Sequence, residues 1–305
     1  MKTAALGSEL ARTRPTLDQW AARAGSDFAQ LVKARLTLLV LLTTAVGFYL
    51  AMPNPVNYVG LFRAVFGTAL AAGSAAALNQ WWERRADALM RRTKMRPIPA
   101  GRMRARDAFL IGLFLAAAGI TYLTLFCNAL TALLAALTII LYIFAYTPLK
   151  RISTTNTLVG AIPGAIPPMI GWAAARGELS AGAWSLFAIL FFWQMPHFFA
   201  LAWMYREDYA RAGFQMISSD DETGARSSSQ SVLFGILLLI VGGMPGYLGL
   251  TSAIYVPIAF LLGGAFIAVA MRFHTRRTAR QARALFIASI IYLPLLLLAL
   301  VITKL

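Results

Sequence analysis

Charge is scarce in this chain. Only 13% of its 305 residues are Asp, Glu, Lys or Arg, while 59% are hydrophobic. A soluble domain carries roughly 25% charged residues. Half that share cannot clothe a water-facing surface, so lipid must be part of the solvent. Acids are scarcer still, 12 against 28 bases, for a net charge of +16. In a soluble protein such an excess suggests nucleic acid. Here the bases lie between apolar runs, which excludes a nucleic-acid partner and points to orientation in a membrane. The single cysteine, Cys127, excludes an intrachain disulfide. The first 30 residues lack the apolar core of a cleaved signal peptide, and Glu9, Asp18 and Asp27 argue against a mitochondrial transit peptide. The expectation is a native cytoplasmic tail over 1–35, in a bacterial inner membrane. No soluble domain, low-complexity linker or defensible repeat is evident.

What is abundant is the spanning segment. A transmembrane helix needs about 20 mostly apolar residues. Nine stretches qualify, near 36–52, 61–79, 107–126, 129–148, 156–174, 181–204, 231–250, 253–271 and 284–303. The fold class expected is all-α, a polytopic membrane bundle of about nine helices forming one domain over 36–305. With the N-terminus inside, Lys plus Arg number six before the first span, nine in 80–106, two in 149–155, three in 205–230 and five in 272–283, 25 in all. The other side holds only Arg63, Arg176 and Lys304. This split predicts a cytoplasmic N-terminus and a periplasmic C-terminus.

The acids cluster on the inner side. Glu83, Asp87 and Asp107 lie in or beside one inner connection, and Glu207, Asp208, Asp220, Asp221 and Glu222 in another. These are the two longest connections, and every outer one is short, so function points to the cytoplasmic face. Asn79, Glu83 and Asp87 are spaced i, i+4, i+8, which places them on one narrow helical face. An amide oxygen and two carboxylates are hard ligands suited to Mg²⁺. Fixed positive charge follows at once in Arg91-Arg92-Thr93-Lys94-Met95-Arg96-Pro97. Metal ligands followed by bases suggest a Mg²⁺–diphosphate site, with arginine gripping phosphate oxygens bidentately. The plain alternative is a solvated helix end where the acids pair with neighbouring arginines. It leaves Asn79 unexplained inside an apolar stretch.

A second cluster reads Trp193-Gln194-Met195-Pro196-His197, then Tyr205-Arg206-Glu207-Asp208-Tyr209 and Gly213. Alone, an intramembrane histidine is more often hydrogen-bonded structure than a ligand, and Pro196 can simply kink its helix. Lys33 and Arg35 open the first span and Lys150-Arg151 closes the fourth. Lipid-headgroup anchoring is the ordinary role of such residues.

The pattern Asn79-x-x-x-Glu83-x-x-x-Asp87-x-x-Met90-x-Arg92-Thr93-x-x-Arg96-Pro97 resembles the first acidic motif of the UbiA-type intramembrane prenyltransferases. Tyr146-Thr147-Pro148-Leu149-Lys150-Arg151, Asn156-Thr157, Gly164-Ala165-Ile166-Pro167-Pro168-x-x-Gly171-Trp172 and Trp193-Gln194-Met195-Pro196-His197-Phe198 resemble its heme O synthase (protoheme IX farnesyltransferase) branch. So does Asp208-Tyr209-x-x-Ala212-Gly213. The resemblance covers roughly 33–225; the last three spans match only in being spans. Ala34 stands where the branch has proline, Glu83 where Asp is commoner, and Tyr205 and Glu207 where the wider superfamily has aspartates.

The resemblance implies farnesyl diphosphate and heme B as substrates, heme O as product, Mg²⁺ as cofactor and membrane lipid as surroundings, with heme A synthase as a candidate handover partner. Asn79, Glu83, Asp87 and Asp208 are then the catalytic metal ligands. Arg35, Arg92, Lys94, Arg96, Lys150 and Arg151 are candidates for the diphosphate, and His197 and Trp193 for the heme side. Trp172, Phe198 and Trp203 are further aromatic candidates. Two Mg²⁺ ions would neutralise the departing diphosphate, and the heme vinyl group would attack the farnesyl cation before water quenches the adduct. An aromatic or quinone acceptor is the nearest rival. A transporter would place its polar groups near the midplane, and a structural assembly factor gives no reason for the 79–83–87 stripe.

Overall fold

The computed structural model describes residues 17–53 and 55–305. Glu9, the side chain of Asp18 and the first part of the expected tail lie outside the described residues. Among those described, nine helices are long and apolar enough to cross a membrane. A shorter one, α1 (Leu17–Leu31), precedes them within the stretch read as a tail. Its last residue, Leu31, is buried against Ala77, Ile98 and Ala108.

The spanning helices are α2 (Ala34–Ala51), α3 (Tyr58–Leu89), α4 (Ala105–Phe126), α5 (Ala129–Leu149), α6 (Asn156–Arg176) and α7 (Ala181–Met204). After a short helix α8 (Arg206–Arg211) come α9 (Ala225–Tyr247), α10 (Tyr255–Arg276) and α11 (Ala279–Ile302). Local chemistry sets their starts. Asn57 accepts from Gly60 N at 2.9 Å and Asn128 from Thr131 N at 2.9 Å, each capping a helix whose first amides have no partner within it. The helix α3 runs ten residues past the apolar stretch that predicts it, so Glu83 and Asp87 lie on regular helix.

Successive helices pack side by side, and α11 returns to touch both α2 and α7. Glycine sets one close crossing. A Cβ on Gly47 would fall 2.1 Å from Pro168 O, and one on Gly171 1.9 Å from Thr44 O, so α2 and α6 meet backbone to backbone. Outward faces are apolar: Phe114 is 71% exposed and Leu261 75%. That is the surface of a protein solvated by lipid. At the end of the bundle away from Asp87, Arg176 Nε donates to Ala51 O at 2.5 Å and Lys304 Nζ to Met52 O at 2.7 Å. Two of the three bases outside the basic connections thus cap the carbonyl end of α2.

Candidate active site

One cavity of about 690 Å³ opens among α2, α3, α5, α7 and α11. Its two ends differ in chemistry. The polar end is built on α3, where the i, i+4 spacing presents Asn79, Glu83 and Asp87 as one line, all buried. Opposite stands the end of α5, which widens into a π-helical turn over Leu141–Tyr146. Pro148 has no N–H to give to the turn before it, and a widened turn absorbs that loss. The result is a cavity face of Tyr142, Tyr146 and Lys150.

Each polar group on the stripe meets a base. Lys33 Nζ donates to Asn79 Oδ1 at 2.7 Å, Lys150 Nζ to Glu83 Oε1 at 2.7 Å and Arg96 Nη1 to Asp87 Oδ2 at 2.7 Å. Asn79 Nδ2 donates to Thr147 Oγ1 at 3.2 Å, which turns the amide oxygen toward the cavity. Lys33 reaches in because the chain turns sharply between α1 and α2, with Lys33 itself at φ 50°. That left-handed conformation is uncommon for a side-chain-bearing residue. The break survives although Ala34 replaces the expected proline. Burial, and then the Arg96 charge, lower the Lys33 ammonium to about 7. Burial also pulls on Lys150, but the Glu83 carboxylate, with the Tyr146 and Tyr142 phenols, outweighs it and holds that ammonium above its ordinary range.

Asp87 keeps one oxygen, Oδ1, that is buried and has no hydrogen-bond partner among the described residues. A buried carboxylate oxygen left unpaired is costly. With Asn79 Oδ1 and Glu83 it forms a set of hard oxygens that fits a divalent cation such as Mg²⁺.

The apolar end is lined by Leu36 and Leu39 of α2, Trp193, His197, Phe198 and Leu201 of α7, and Phe286, Ile290, Leu293 and Pro294 of α11. His197 is stacked between Trp193 and Phe286, with ring centroids 5.4 and 4.7 Å away. Its Nδ1 lies 2.8 Å from Ser289 Oγ, and that hydroxyl donates its one proton to Phe286 O at 2.6 Å. With that hydroxyl engaged, Ser289 Oγ is placed to accept from Nδ1, which favours the tautomer whose Nε2 is unprotonated. Trp193 Nε1 is held by Ser289 O at 2.8 Å.

Of the residues singled out in the sequence, Asn79, Glu83, Asp87, Arg35, Arg92, Arg96, Lys150, Trp193 and His197 share this cavity. Three do not. Lys94 is exposed on the connection after α3. Arg151 faces a separate cleft with Arg84, Arg85 and Trp82. Asp208 lines a neighbouring cleft with Arg91, Arg206 and Arg211 that shares Arg92 with the cavity. The Asp208 carboxylate accepts from Arg91 N and Arg92 N, each at 3.4 Å, and pairs with Arg211. Of the aromatic candidates, Phe198 lines the cavity, whereas Trp172 and Trp203 pack against Gly182 and Gly224. Sequence reasoning gave Thr147 and Tyr209 no role of their own and missed Tyr142 and the whole contribution of α11. Ser289 and Phe286, at helical spacing on an apolar span, carry little local signal.

The UbiA prenyltransferase family profile matches residues 40–294. A protoheme IX farnesyltransferase of Solibacter usitatus is 44% identical over 279 residues, covering 88% of this chain and 96% of the relative. Another from Opitutus terrae is 44% identical over 281 residues, covering 92% and 95%. Among solved structures, one of a digeranylgeranylglyceryl phosphate synthase superposes with a TM-score of 0.77 at 13% identity, over 91% of this chain and 97% of that one. A UbiA homolog from Archaeoglobus fulgidus bound to GPP and Mg²⁺ gives 0.65 at 15% identity, over 91% and 100%.

Proposed function

The chain belongs to the UbiA prenyltransferase family, and from that premise we propose that it transfers the farnesyl group of farnesyl diphosphate to a vinyl group of heme B, giving heme O. The observation that carries this reading is the pairing, in one cavity, of a buried oxygen stripe edged by bases with an apolar end that presents an imidazole.

Asn79, Glu83 and Asp87 would hold Mg²⁺, and Asp87 Oδ1, buried and unpartnered, is the oxygen most in need of it. Bound there, the ion supplies Lewis acidity toward the leaving diphosphate. The residues do the rest. Arg92, Arg96 and Lys150 offer cationic donors to phosphate oxygens at the same end, already in place before the bond breaks. Loss of diphosphate leaves an allylic farnesyl cation. The Tyr146 and Phe198 faces can stabilise it, and the apolar wall keeps water away until the vinyl carbon has attacked. Water then adds to the new cation beside the pyrrole and releases a proton. At the other end, Nε2 of His197 is free to meet the heme iron, and Trp193 and Phe286 fix the imidazole plane.

The basic split supports a site on the cytoplasmic face of a bacterial inner membrane, with the C-terminus outside. A phosphatase reporter fused after Leu305 should then be active only as a periplasmic enzyme. The reaction itself is tested by pigment analysis of membranes from cells expressing the chain. Heme O should appear with the wild type and vanish with Asp87→Ala. Prenylation of a quinone or hydroxybenzoate ring, without heme O, would replace the acceptor in this reading.

A further inference from the structure

We infer that Arg35 and Arg283 hold the two propionate groups of the heme. The inference rests on the reading above, in which the heme enters the apolar end with its iron at His197.

A heme brings two carboxylates into a cavity at membrane depth. Each must reach a cation, a donor or water, because a bare charge there is costly. The macrocycle carries its propionates on one edge and its vinyl groups on the opposite edge. A vinyl group turned toward the oxygen stripe therefore turns the propionates to the wall across the cavity. The stripe is on α3, and α11, packed on α2 and α7, stands across from it. The cavity opens on that side between α2 and α11: Leu36 and Ile290 both line it, yet they are 65% and 48% exposed.

Two arginines mark the rim of this opening. Arg35 lies in the first turn of α2 and lines the cavity beside Leu36 and Leu39. Arg283 lies in the second turn of α11, seven residues before Ile290 and eleven before Pro294. Those spacings are close to two and three full turns, so Arg283 continues the cavity-facing line of α11. It is only about 4.5 Å along the helix axis from Phe286, which stacks on His197. The first and ninth spans begin at the same end of the bundle, so both arginines stand at the end that holds Asp87.

Both are exposed, and among the described residues neither forms a salt bridge. The other bases of the cavity are engaged, Lys33 on Asn79, Lys150 on Glu83, Arg96 on Asp87 and Arg92 on Tyr209. Arg283 is one of five arginines over residues 272–283, a stretch without an acid, so the field at the rim attracts carboxylates. A guanidinium grips a carboxylate through two parallel N–H bonds. Held in this way, the heme has its propionates at the interface, its iron by His197 and its vinyl edge toward the stripe. Arg35, grouped by the sequence with the diphosphate bases, then serves the acceptor instead.

The test uses the full chain in phosphatidylcholine nanodiscs, which offer no anionic headgroup as a competitor. Ferric heme B and its dimethyl ester, whose carboxylates are masked, are titrated at the Soret band and corrected for uptake by empty nanodiscs. Calorimetry reads the affinity for inorganic diphosphate with Mg²⁺. The wild type should bind heme about tenfold or more tighter than the ester, the worth of charge-assisted contacts. Arg35→Gln and Arg283→Gln should each weaken heme roughly tenfold and leave the ester and the diphosphate as in the wild type. The ester comparison needs no variant, so it carries the test if a substituted chain does not fold: equal affinity for heme and ester in the wild type would overturn the inference. So would heme affinity unchanged in both variants, or heme and ester weakened alike, which marks a packing defect. Weaker diphosphate with unchanged heme in Arg35→Gln would return Arg35 to the diphosphate and overturn its part. A wild type that shifts the Soret band of neither ligand would sink the heme reading itself. Heme binding that His197→Ala weakens and both arginine variants leave intact would sink only the propionate seat.

Discussion

The two ends of the cavity solve the problem of polar groups in a membrane in opposite ways. At the polar end each oxygen ligand is matched with a cation: Lys33 with Asn79, Lys150 with Glu83, Arg96 with Asp87. At the apolar end one imidazole is held through Nδ1 by Ser289. Two of the polar-end pairs, Lys150–Glu83 and Arg96–Asp87, set opposite charges side by side that a metal and an anion can take over together. The apolar end offers a lone pair in an aromatic slot. A substrate with one charged end and one with a metal centre thus meet surfaces prepared for different chemistry, a helix face apart.

The comparison breaks most sharply at Asp87. Asp87→Ala removes the one stripe carboxylate with an unpaired buried oxygen, and heme O formation should fall on the order of a thousandfold. Thermal unfolding should show the bundle intact, because Arg96 is part-exposed and can turn to water. Near-normal turnover in folded protein would make the stripe structural.

Next comes the pair formed by Lys150 and Glu83, both largely buried. Lys150→Met strands a buried carboxylate and should cost about 3–5 kcal/mol of stability. Adding Glu83→Leu should recover most of that loss, since a packed apolar pair replaces the buried ions, yet activity should stay absent. Unfolding midpoints for the single and double variants check this. If the double variant is no more stable than the single, charge pairing is not what holds α3 to the end of α5.

The reach of the sequence follows the same division. The polar end was legible because its residues are local: Asn79, Glu83 and Asp87 lie on one helix, and their spacing alone puts them on a line. The spans were legible because a lipid-facing helix must be apolar over its whole length. What escaped depends on contacts between distant segments. Ser289 meets His197 across 92 residues, and nothing on α11 marks it as different from other apolar spans. Asp208 was read as a ligand from the resemblance alone, since a single aspartate in a connection does not say which way its carboxylate faces. Helix α1 was legible and overlooked: Leu17, Trp20, Ala24, Phe28 and Leu31 recur at helical spacing within the stretch read as a tail.

At the apolar end the expected effects are smaller. His197→Ala should lower heme affinity about tenfold and alter the Soret band, while metal-dependent diphosphate binding persists. Loss of diphosphate binding with an unchanged heme spectrum would move His197 to the other end of the cavity. Ser289→Ala gives the finest cut. In the wild type, the hydroxyl is engaged with Phe286 O, so Ser289 Oγ is placed to accept from Nδ1, which favours the imidazole proton there. Without that oxygen the Nδ1 proton loses its partner, and the tautomer with the proton on Nε2, which cannot ligate iron, is no longer held off. The Trp193 contact to the backbone of residue 289 should survive, because it uses the carbonyl. Heme affinity should then fall only a few-fold, roughly the worth of one neutral hydrogen bond, with the same direction of Soret shift as His197→Ala and a smaller amplitude. Titration of ferric heme into both variants measures it. A Ser289→Ala protein that binds heme as the wild type does would show that Ser289 does not set the tautomer, and a loss larger than that of His197→Ala would show that it acts on the packing of α11 instead.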